Sequence, residues 1–199
     1  GQTSVGEHWD LSLRELAFYA INAAQNDASR INPQALFVGN MLAPMTSGQA
    51  HLGALIADFA GLRGIEAYTT EAAGASGAAA LRAGYLSVKS GFVDTALVVG
   101  VEKMTDKVGP GVETAIATSL DSDYEAMQGL TPASQAALLM QRYINEFDVP
   151  REAFGGFPIM AHKNGVGNSN AMFRRAIKPD LYNRVGMISD PLNLFDAAP

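Results

Sequence analysis

Residues 68–81 read YTTEAAGASGAAAL, a pattern that predicts a strand, then a tight turn, then a helix of small residues. The unpaired amide groups and the dipole at the start of a helix favour a thiolate and a developing oxyanion. A catalytic nucleophile is therefore expected at the turn. The residue there is Gly74, which has no side chain, and the 199-residue chain contains no cysteine.

A second segment, VVGVEKM at residues 98–104, follows the predicted helix. The two segments together resemble the thiolase superfamily, most closely its sterol-carrier-protein and archaeal type, over nearly all 199 residues. Residues 71–77 resemble the nucleophile motif, in which cysteine precedes Ala/Gly-Ser-Gly. Residues 98–104 resemble the Gly-Gly-x-Glu-x-Met signature, with Val99 in place of its first glycine. The resemblance places Gly74 at the position of the acyl-accepting cysteine.

The resemblance implies a Claisen condensation, or its reverse, on acyl-coenzyme A, with the thioester as substrate and no separate cofactor. In that reaction one cysteine accepts the acyl group after a histidine activates it, and a second cysteine moves a proton. Oxyanion holes stabilise the enolate and the tetrahedral intermediate. The second cysteine and both histidine-bearing motifs belong to the family's C-terminal half. The resemblance therefore covers the N-terminal half only.

Three residues form the candidate site. Gly74 is interpreted as the former nucleophile position, although glycine at a tight turn can also serve only to relax the backbone. Ser76 is predicted to cap the helix or contact coenzyme A, and the alternative of a substitute nucleophile is weaker. Met127 matches a family position that lines the pantetheine and acyl pocket, although a lone methionine is equally typical of a core.

Four other polar or sulfur-containing residues could have a functional role, but a structural role is expected for each. His162 and Asn164 suggest an acid–base pair, but their family counterpart lies on a helix of the loop domain and is not catalytic. Glu102 and Met104 end the third predicted strand beside the turn. Packing and support of the turn are expected for both.

Composition excludes several classes of function. A net charge of −6 without a Lys/Arg cluster argues against a nucleic-acid surface. The three scattered histidines and the absence of cysteine predict no metal site. No apolar run approaches the roughly 20 residues of a membrane span, so neither membrane association nor a signal peptide is expected. The sequence predicts a cytoplasmic protein.

The fold expected is α/β and thiolase-like, a layered sheet half with an inserted helical loop domain. Apolar strands near 35–39, 65–71 and 95–101 alternate with helices, which predicts a parallel sheet covered on both faces, with the helix at 75–90 buried. Residues 105–130 are expected to be loop-like. The predicted divisions are the thiolase half at 1–104, the loop domain at 105–190, and a truncated segment returning to the core at 191–199.

The resemblance also implies that the family's central first strand precedes this chain. The strands near 35–38 and 95–99 are then expected to flank a vacant slot with unsatisfied backbone groups, at about 1–3 kcal/mol each. On that basis the chain is expected to belong to a polypeptide of about twice its 21.0 kDa.

Assembly is inferred from the same resemblance. In the family, the strand leading into the nucleophile pairs with its two-fold mate, which predicts a homodimer through residues 65–71. An exposed strand edge would otherwise invite aggregation. Archaeal relatives also associate with small oligonucleotide-fold subunits, so a partner of that kind is considered, although no residue here indicates one.

Two classes of function remain open. The favoured one is a thiolase-type acyl-coenzyme A acyltransferase, resembling acetyl-coenzyme A C-acetyltransferase and inactive as written because Gly74 replaces the cysteine. The alternative is a naturally cysteine-free relative, either an aldolase that cleaves β-hydroxyacyl-coenzyme A or a non-catalytic scaffold.

Overall fold

The protein is described by a computed structural model that covers residues 1–197. Its contacts divide the chain into two compact units. The first comprises Gly1–Thr3 and Glu7–Ala115, and the second comprises Ser4–Gly6 with the described residues from Ile116 onward. The predicted functional division at 104/105 and 190/191 stays a prediction. Residues 198 and 199 of its last segment lie outside the described residues.

A three-stranded parallel sheet lies at the centre of the first unit. Its order is β2-β1-β3, and the strands are β1 Ala35–Gly39, β2 Glu66–Thr70 and β3 Ala96–Gly100. The strands begin and end within one residue of the predicted positions. Every residue of β1 is buried, as expected for a central strand of a parallel sheet covered on both faces. The predicted parallel α/β architecture is therefore confirmed.

Helices cover both faces of this sheet. On one face, Leu36 and Val38 of β1 pack against α1 (Leu13–Asp27) and α3 (Leu52–Phe59) in the larger core cluster. On the other face, Phe37 packs with Ala80 of α4 (Ser76–Lys89). The α1 helix begins at a complete capping box between Ser12 and Glu15. The helices of this unit are α1 Leu13–Asp27, α2 Ala43–Thr46, α3 Leu52–Phe59, α4 Ser76–Lys89 and α5 Pro110–Ala117, within which the unit boundary falls.

The expectation of a vacant slot between two strands is wrong for this structure. β1 and β3 are direct neighbours, paired in parallel from Ala35 with Ala96 through to Gly39 with Gly100. Backbone donors and acceptors in a buried strand must be paired, and these two apolar strands satisfy each other. β2, by contrast, lies at the edge of the sheet, as predicted.

The expectation that the helix after the turn is buried is also wrong. Only Ser76, Ala80 and Gly84 of α4 are buried, on the face toward the sheet. Gly84 permits this close approach, because a Cβ there would lie 2.7 Å from a Val98 methyl group. On the outer face Leu81 and Tyr85 are 62% and 63% exposed, because no other described element covers them. The small residues are needed on the sheet side alone.

Residues 105–130 contain more helix than predicted. α5 begins at Pro110, inside the range that was expected to be loop-like. Proline is tolerated in the first turn of a helix, where its missing amide proton has no partner to lose. A 3-10 turn at Ala126–Gln128, which contains Met127, also lies in the range that was predicted to be loop-like.

The second unit is helical, with one short antiparallel hairpin. Thr131 caps α6 (Pro132–Phe147), and Pro132 occupies the first turn of this helix. The core of the unit packs Ala137 and Met140 against Leu192. Its elements are α6 Pro132–Phe147, a 3-10 turn at Arg151–Gly155, α7 Gly156–Gly165, α8 Pro179–Arg184, and the paired strands β4 Met187–Ser189 and β5 Leu192–Asn193.

Candidate functional site

The turn between β2 and α4 places Gly74 between the carboxyl end of a strand and the start of a helix. It lies in a 3-10 turn at Ala73–Ala75, and the residue before it, Ala73, has a left-handed backbone with φ +48°. Gly74 itself is exposed and outside that left-handed region, and a Cβ added there would meet no atom within 4 Å. Neither the backbone nor the surroundings of this position require glycine.

Side chains at both ends of the turn hold its backbone. The Glu71 carboxylate accepts a hydrogen bond from the Ala73 amide at 2.5 Å. The Ser76 hydroxyl accepts one from the Ala72 amide at 3.0 Å and donates one to the Ala73 carbonyl at 2.7 Å. Ser76 is only 5% exposed. The prediction that Ser76 caps the helix is wrong, because Ser76 is the first residue of α4 and its hydroxyl bonds the preceding turn. Its predicted contact with coenzyme A stays a prediction.

The start of α4 lies against the carboxyl ends of two strands. A Cβ added to Gly39 of β1 would lie 2.7 Å from both the Gly77 Cα and the Ser76 carbonyl oxygen. At Gly100 of β3, which pairs with Gly39, the same addition would lie 3.9 Å from the Gly77 Cα. The backbones therefore meet without side chains between them, and this fixes the turn above the sheet.

No side chain caps the first turn of α4, and no acidic residue lies within it. The amide groups at the start of a helix have no partners within the helix and carry the positive end of its dipole. An anion at position 74 would therefore be stabilised, which is the chemistry of an activated thiolate. Gly74 supplies no group that can become one.

Glu102 joins the ends of two strands. Its carboxylate accepts hydrogen bonds from the Asn40 side-chain amide at 2.9 Å and from the amides of Met41 and Leu42 at 3.1 and 3.0 Å. Support of the turn at Gly74 was expected of Glu102, whereas these hydrogen bonds join the ends of β1 and β3. The sequence did not predict Asn40 as the hydrogen-bond partner of Glu102. The available signal was Gly39-Asn40 directly after a buried strand, where an Asn side chain bonds nearby backbone.

Lys103 is a buried charge beside this cluster. It is 7% exposed and forms an ion pair with Asp106, which also accepts a hydrogen bond from the Ser47 hydroxyl at 3.1 Å. A buried ammonium group needs such a partner. The pair holds the segment after β3 against the segment after α2.

The remaining candidate residues belong to the second unit. Met127 is 74% exposed in its 3-10 turn, and its predicted part in an acyl pocket stays a prediction. His162 stacks on Phe173 at 6.2 Å between ring centroids, and its Nδ1 lies 3.1 Å from the Arg175 carbonyl oxygen. Asn164 is exposed on the same helix. The contacts of His162 are structural, as predicted.

An apolar cleft of about 560 Å³ opens in the second unit between α6, α7 and β5. Leu139, Tyr143 and Phe157 line it, and Asp196 contributes a carboxylate. That carboxylate accepts a hydrogen bond from the Tyr182 hydroxyl at 2.9 Å. Burial, followed by this hydrogen bond to Asp196, raises the pKa of Tyr182 to about 12.

Two features are absent from residues 1–197. Within this range, no three His, Cys, Asp or Glu side chains come together in a way that would hold a metal ion. None of the helices described there has the length and apolar character needed to cross a membrane.

A family model and two curated relatives are similar to this chain. The chain is 40% identical over its whole length to an acetyl-CoA acetyltransferase of Methanothermobacter thermautotrophicus, of which it covers 52%. It is 37% identical to an acetyl-CoA acetyltransferase of Methanocaldococcus jannaschii, of which it covers 51%. The chain thus spans about half the length of these curated relatives. The family model "Thiolase, N-terminal domain" matches residues 1–185. The chain belongs to the thiolase family, in which it corresponds to the N-terminal domain.

Proposed function

We propose that this chain is the N-terminal part of a thiolase-type acyl-coenzyme A acyltransferase in which position 74 is the nucleophile position. We further propose that the chain as written transfers no acyl group. The observation that carries the proposal is the turn at Gly74, where a strand end, a left-handed residue and an uncapped helix start meet around an exposed position. Membership of the thiolase family and the names of the relatives support it.

The chemistry of that position depends on a thiolate. In acyl transfer a thiolate attacks the thioester carbonyl, the carbon–sulfur bond to coenzyme A breaks, and coenzyme A leaves as a thiolate that then takes up a proton. The start of α4 favours the thiolate form by lowering the thiol pKa below the ~8.5 of free cysteine. Gly74 offers no sulfur, and none of the 199 residues is a cysteine that would replace it. Ser76 is a poor substitute, because its hydroxyl is buried and bonded on both sides.

The test compares Gly74, Gly74→Cys and Gly74→Ala in the protein that carries this sequence. Each is incubated with acetoacetyl-coenzyme A and coenzyme A, and the acetyl-enzyme is sought by intact mass. We expect thiolysis and an acetyl adduct with Gly74→Cys only, because loss of a catalytic nucleophile costs about 10⁴- to 10⁶-fold in rate. Gly74→Ala controls for filling the open space without adding a thiol.

The same proteins with a β-hydroxyacyl-coenzyme A distinguish the alternative functions. Cleavage by the Gly74 form would identify a cysteine-free aldolase and contradict the acyltransferase proposal. Inactivity of all three forms on both substrates would contradict both enzymatic functions and favour a non-catalytic scaffold. Neither alternative gains support from a specific contact at the turn.

We also propose a homodimer formed through β2. The strand lies at the sheet edge, and Tyr68 is 51% exposed while its ring stacks on Phe37 at 5.7 Å. An edge strand presents unpaired backbone groups that a second copy can satisfy. Sedimentation equilibrium is expected to give a dimer, and a monomer at all concentrations would refute the proposal. We also propose, from the family resemblance, that Ser76 contacts coenzyme A and that Met127 contacts the acyl chain.

A further inference from the structure

The Ser76 hydroxyl sits at a junction between a fixed part of the fold and a turn that needs support. Its own backbone is seated on the sheet, since the Ser76 carbonyl oxygen lies where a Gly39 Cβ would be 2.7 Å away. From this position the Ser76 hydroxyl forms hydrogen bonds with the two residues before position 74, Ala72 and Ala73. The fixed element is the start of a 14-residue helix. The supported one is the 3-10 turn.

The supported residues are the ones whose conformation is unusual. Ala73 has φ +48°, a region that alanine rarely occupies. Its carbonyl accepts the Ser76 hydroxyl, and the amide of Ala72 is bound to the same hydroxyl oxygen. Both hydrogen bonds converge on one side chain, so the dipeptide Ala72-Ala73 is held at its first amide and at its last carbonyl. The direction of the chain into position 74 follows from that peptide.

We infer that Ser76 is a positioning residue, whose hydroxyl holds the left-handed turn that places position 74 at the start of α4. This inference rests on the proposed function, because it assigns Ser76 a role in the site at position 74. In this role the Ser76 hydroxyl takes no direct part in the chemistry and acts through the backbone of the turn. The 5% exposure of Ser76 agrees with such a role.

The absence of cysteine provides a direct probe of this geometry. In the protein that carries this sequence, Gly74→Cys gives these 199 residues their one thiol, at a position where an added Cβ meets no atom within 4 Å. Its rate of reaction with an aromatic disulfide, measured across pH, gives the thiol pKa without any requirement for acyl transfer. The Gly74 protein, measured in parallel, gives the rate of any thiol elsewhere in the polypeptide, and this rate is subtracted. With Ser76 intact we expect a pKa below the ~8.5 of free cysteine, because of the helix start.

Adding Ser76→Ala is expected to raise this pKa by about one unit. At a pH below both pKa values the disulfide reaction then slows about three- to fourfold, because a tenfold loss of thiolate is partly offset by its greater nucleophilicity. Hydrogen exchange at the Ala72 amide is expected to accelerate. Ser76→Thr keeps a hydroxyl and is expected to restore both values.

Ser90→Ala is the matched control. Ser90 lies at the other end of α4, and its hydroxyl donates to the Ser87 carbonyl at 3.0 Å, the same three-residue contact that Ser76 makes with Ala73. Removal of this bond is expected to leave the thiol pKa and Ala72 exchange unchanged. Circular dichroism of each variant checks that the helices are retained.

The outcomes separate the two claims. An ordinary thiol pKa in Gly74→Cys with Ser76 intact would refute the proposed function of position 74. A lowered pKa that Ser76→Ala does not change, or that Ser90→Ala changes equally, would overturn the positioning role alone. Loss of all helical signal in Ser76→Ala would overturn it too, since the hydroxyl would then stabilise the whole unit and not one turn.

Discussion

Gly74 shows that a glycine can occupy a tight turn between a strand and a helix without being needed by the backbone. Its φ lies outside the left-handed region and its surroundings are open, so a side chain is tolerated. The sequence motif identified the position but not this freedom, because glycine at a tight turn also predicts a positive φ. The left-handed residue is instead Ala73, for which the sequence carried no signal. Only the structure shows that Ala73, and not Gly74, has the left-handed backbone.

At the residue scale, Gly74→Ala is expected to stabilise the protein by about 0.5 kcal/mol. Alanine reduces the freedom of the unfolded chain, and the native backbone at position 74 accepts it. Gly91→Ala is the matched control, because its Cβ also meets no atom within 4 Å but its φ is +75°. It is expected to destabilise by about 1–2 kcal/mol. Urea unfolding measures both, and equal effects would contradict the argument.

The elements that could be predicted are those with a local pattern. β1 is recognisable because all five of its residues are buried and apolar or small. Helix starts at Ser12 and Thr131 follow from their caps. Strand neighbours could not be predicted in the same way, because the pairing of β1 with β3 depends on contacts about 60 residues apart in the sequence. The contact of Asn40 with Glu102 has the same origin.

At the element scale, Gly39→Ala is expected to destabilise the protein by about 1–3 kcal/mol. Its Cβ would lie 2.7 Å from backbone atoms of Ser76 and Gly77, so the start of α4 must shift. Gly100→Ala adds the same group to the neighbouring strand at an ordinary 3.9 Å from the Gly77 Cα. We expect its effect to stay within about 0.5 kcal/mol. A Gly39→Ala protein as stable as Gly100→Ala would exclude this close approach in solution.

At the scale of the whole molecule, each of the two units has its own core, built from its own segments. The sequence predicted a sheet part followed by a helical part from the change in pattern after Met104. It did not predict that Ser4–Gly6 joins the second unit, where the Val5 amide donates to the Asn170 carbonyl at 2.9 Å. A short segment without periodicity carries no signal for such a contact.

The dependence of global stability on alkaline pH is expected to report Tyr182. Its pKa is raised to about 12 in the folded protein, from a value near 10 in an unfolded chain. Below about pH 10 both states are protonated, and the contribution is fully present. Between about pH 10 and 12 only the unfolded state loses the proton, so stability falls by up to about 1.4 kcal/mol per pH unit.

Tyr182→Phe tests this slope. The variant loses the hydrogen bond to Asp196, which lowers its stability by about 1 kcal/mol at neutral pH. Above pH 10 its stability is expected to fall less steeply than that of the parent protein, because phenylalanine has no proton to lose. Urea unfolding at several pH values measures the two curves. Parallel curves would show that Tyr182 ionises equally in both states.

The left-handed conformation of Ala73 has an energetic consequence for how this turn can change. An alanine in that region costs about 1–2 kcal/mol, whereas a glycine adopts it freely. Ala73→Gly therefore removes a strain that the folded chain now carries, while it gives the turn more freedom to move. Rigidity and stability oppose each other at this position. A sequence selected for stability alone would drift toward glycine here, at the expense of the order that the turn now has.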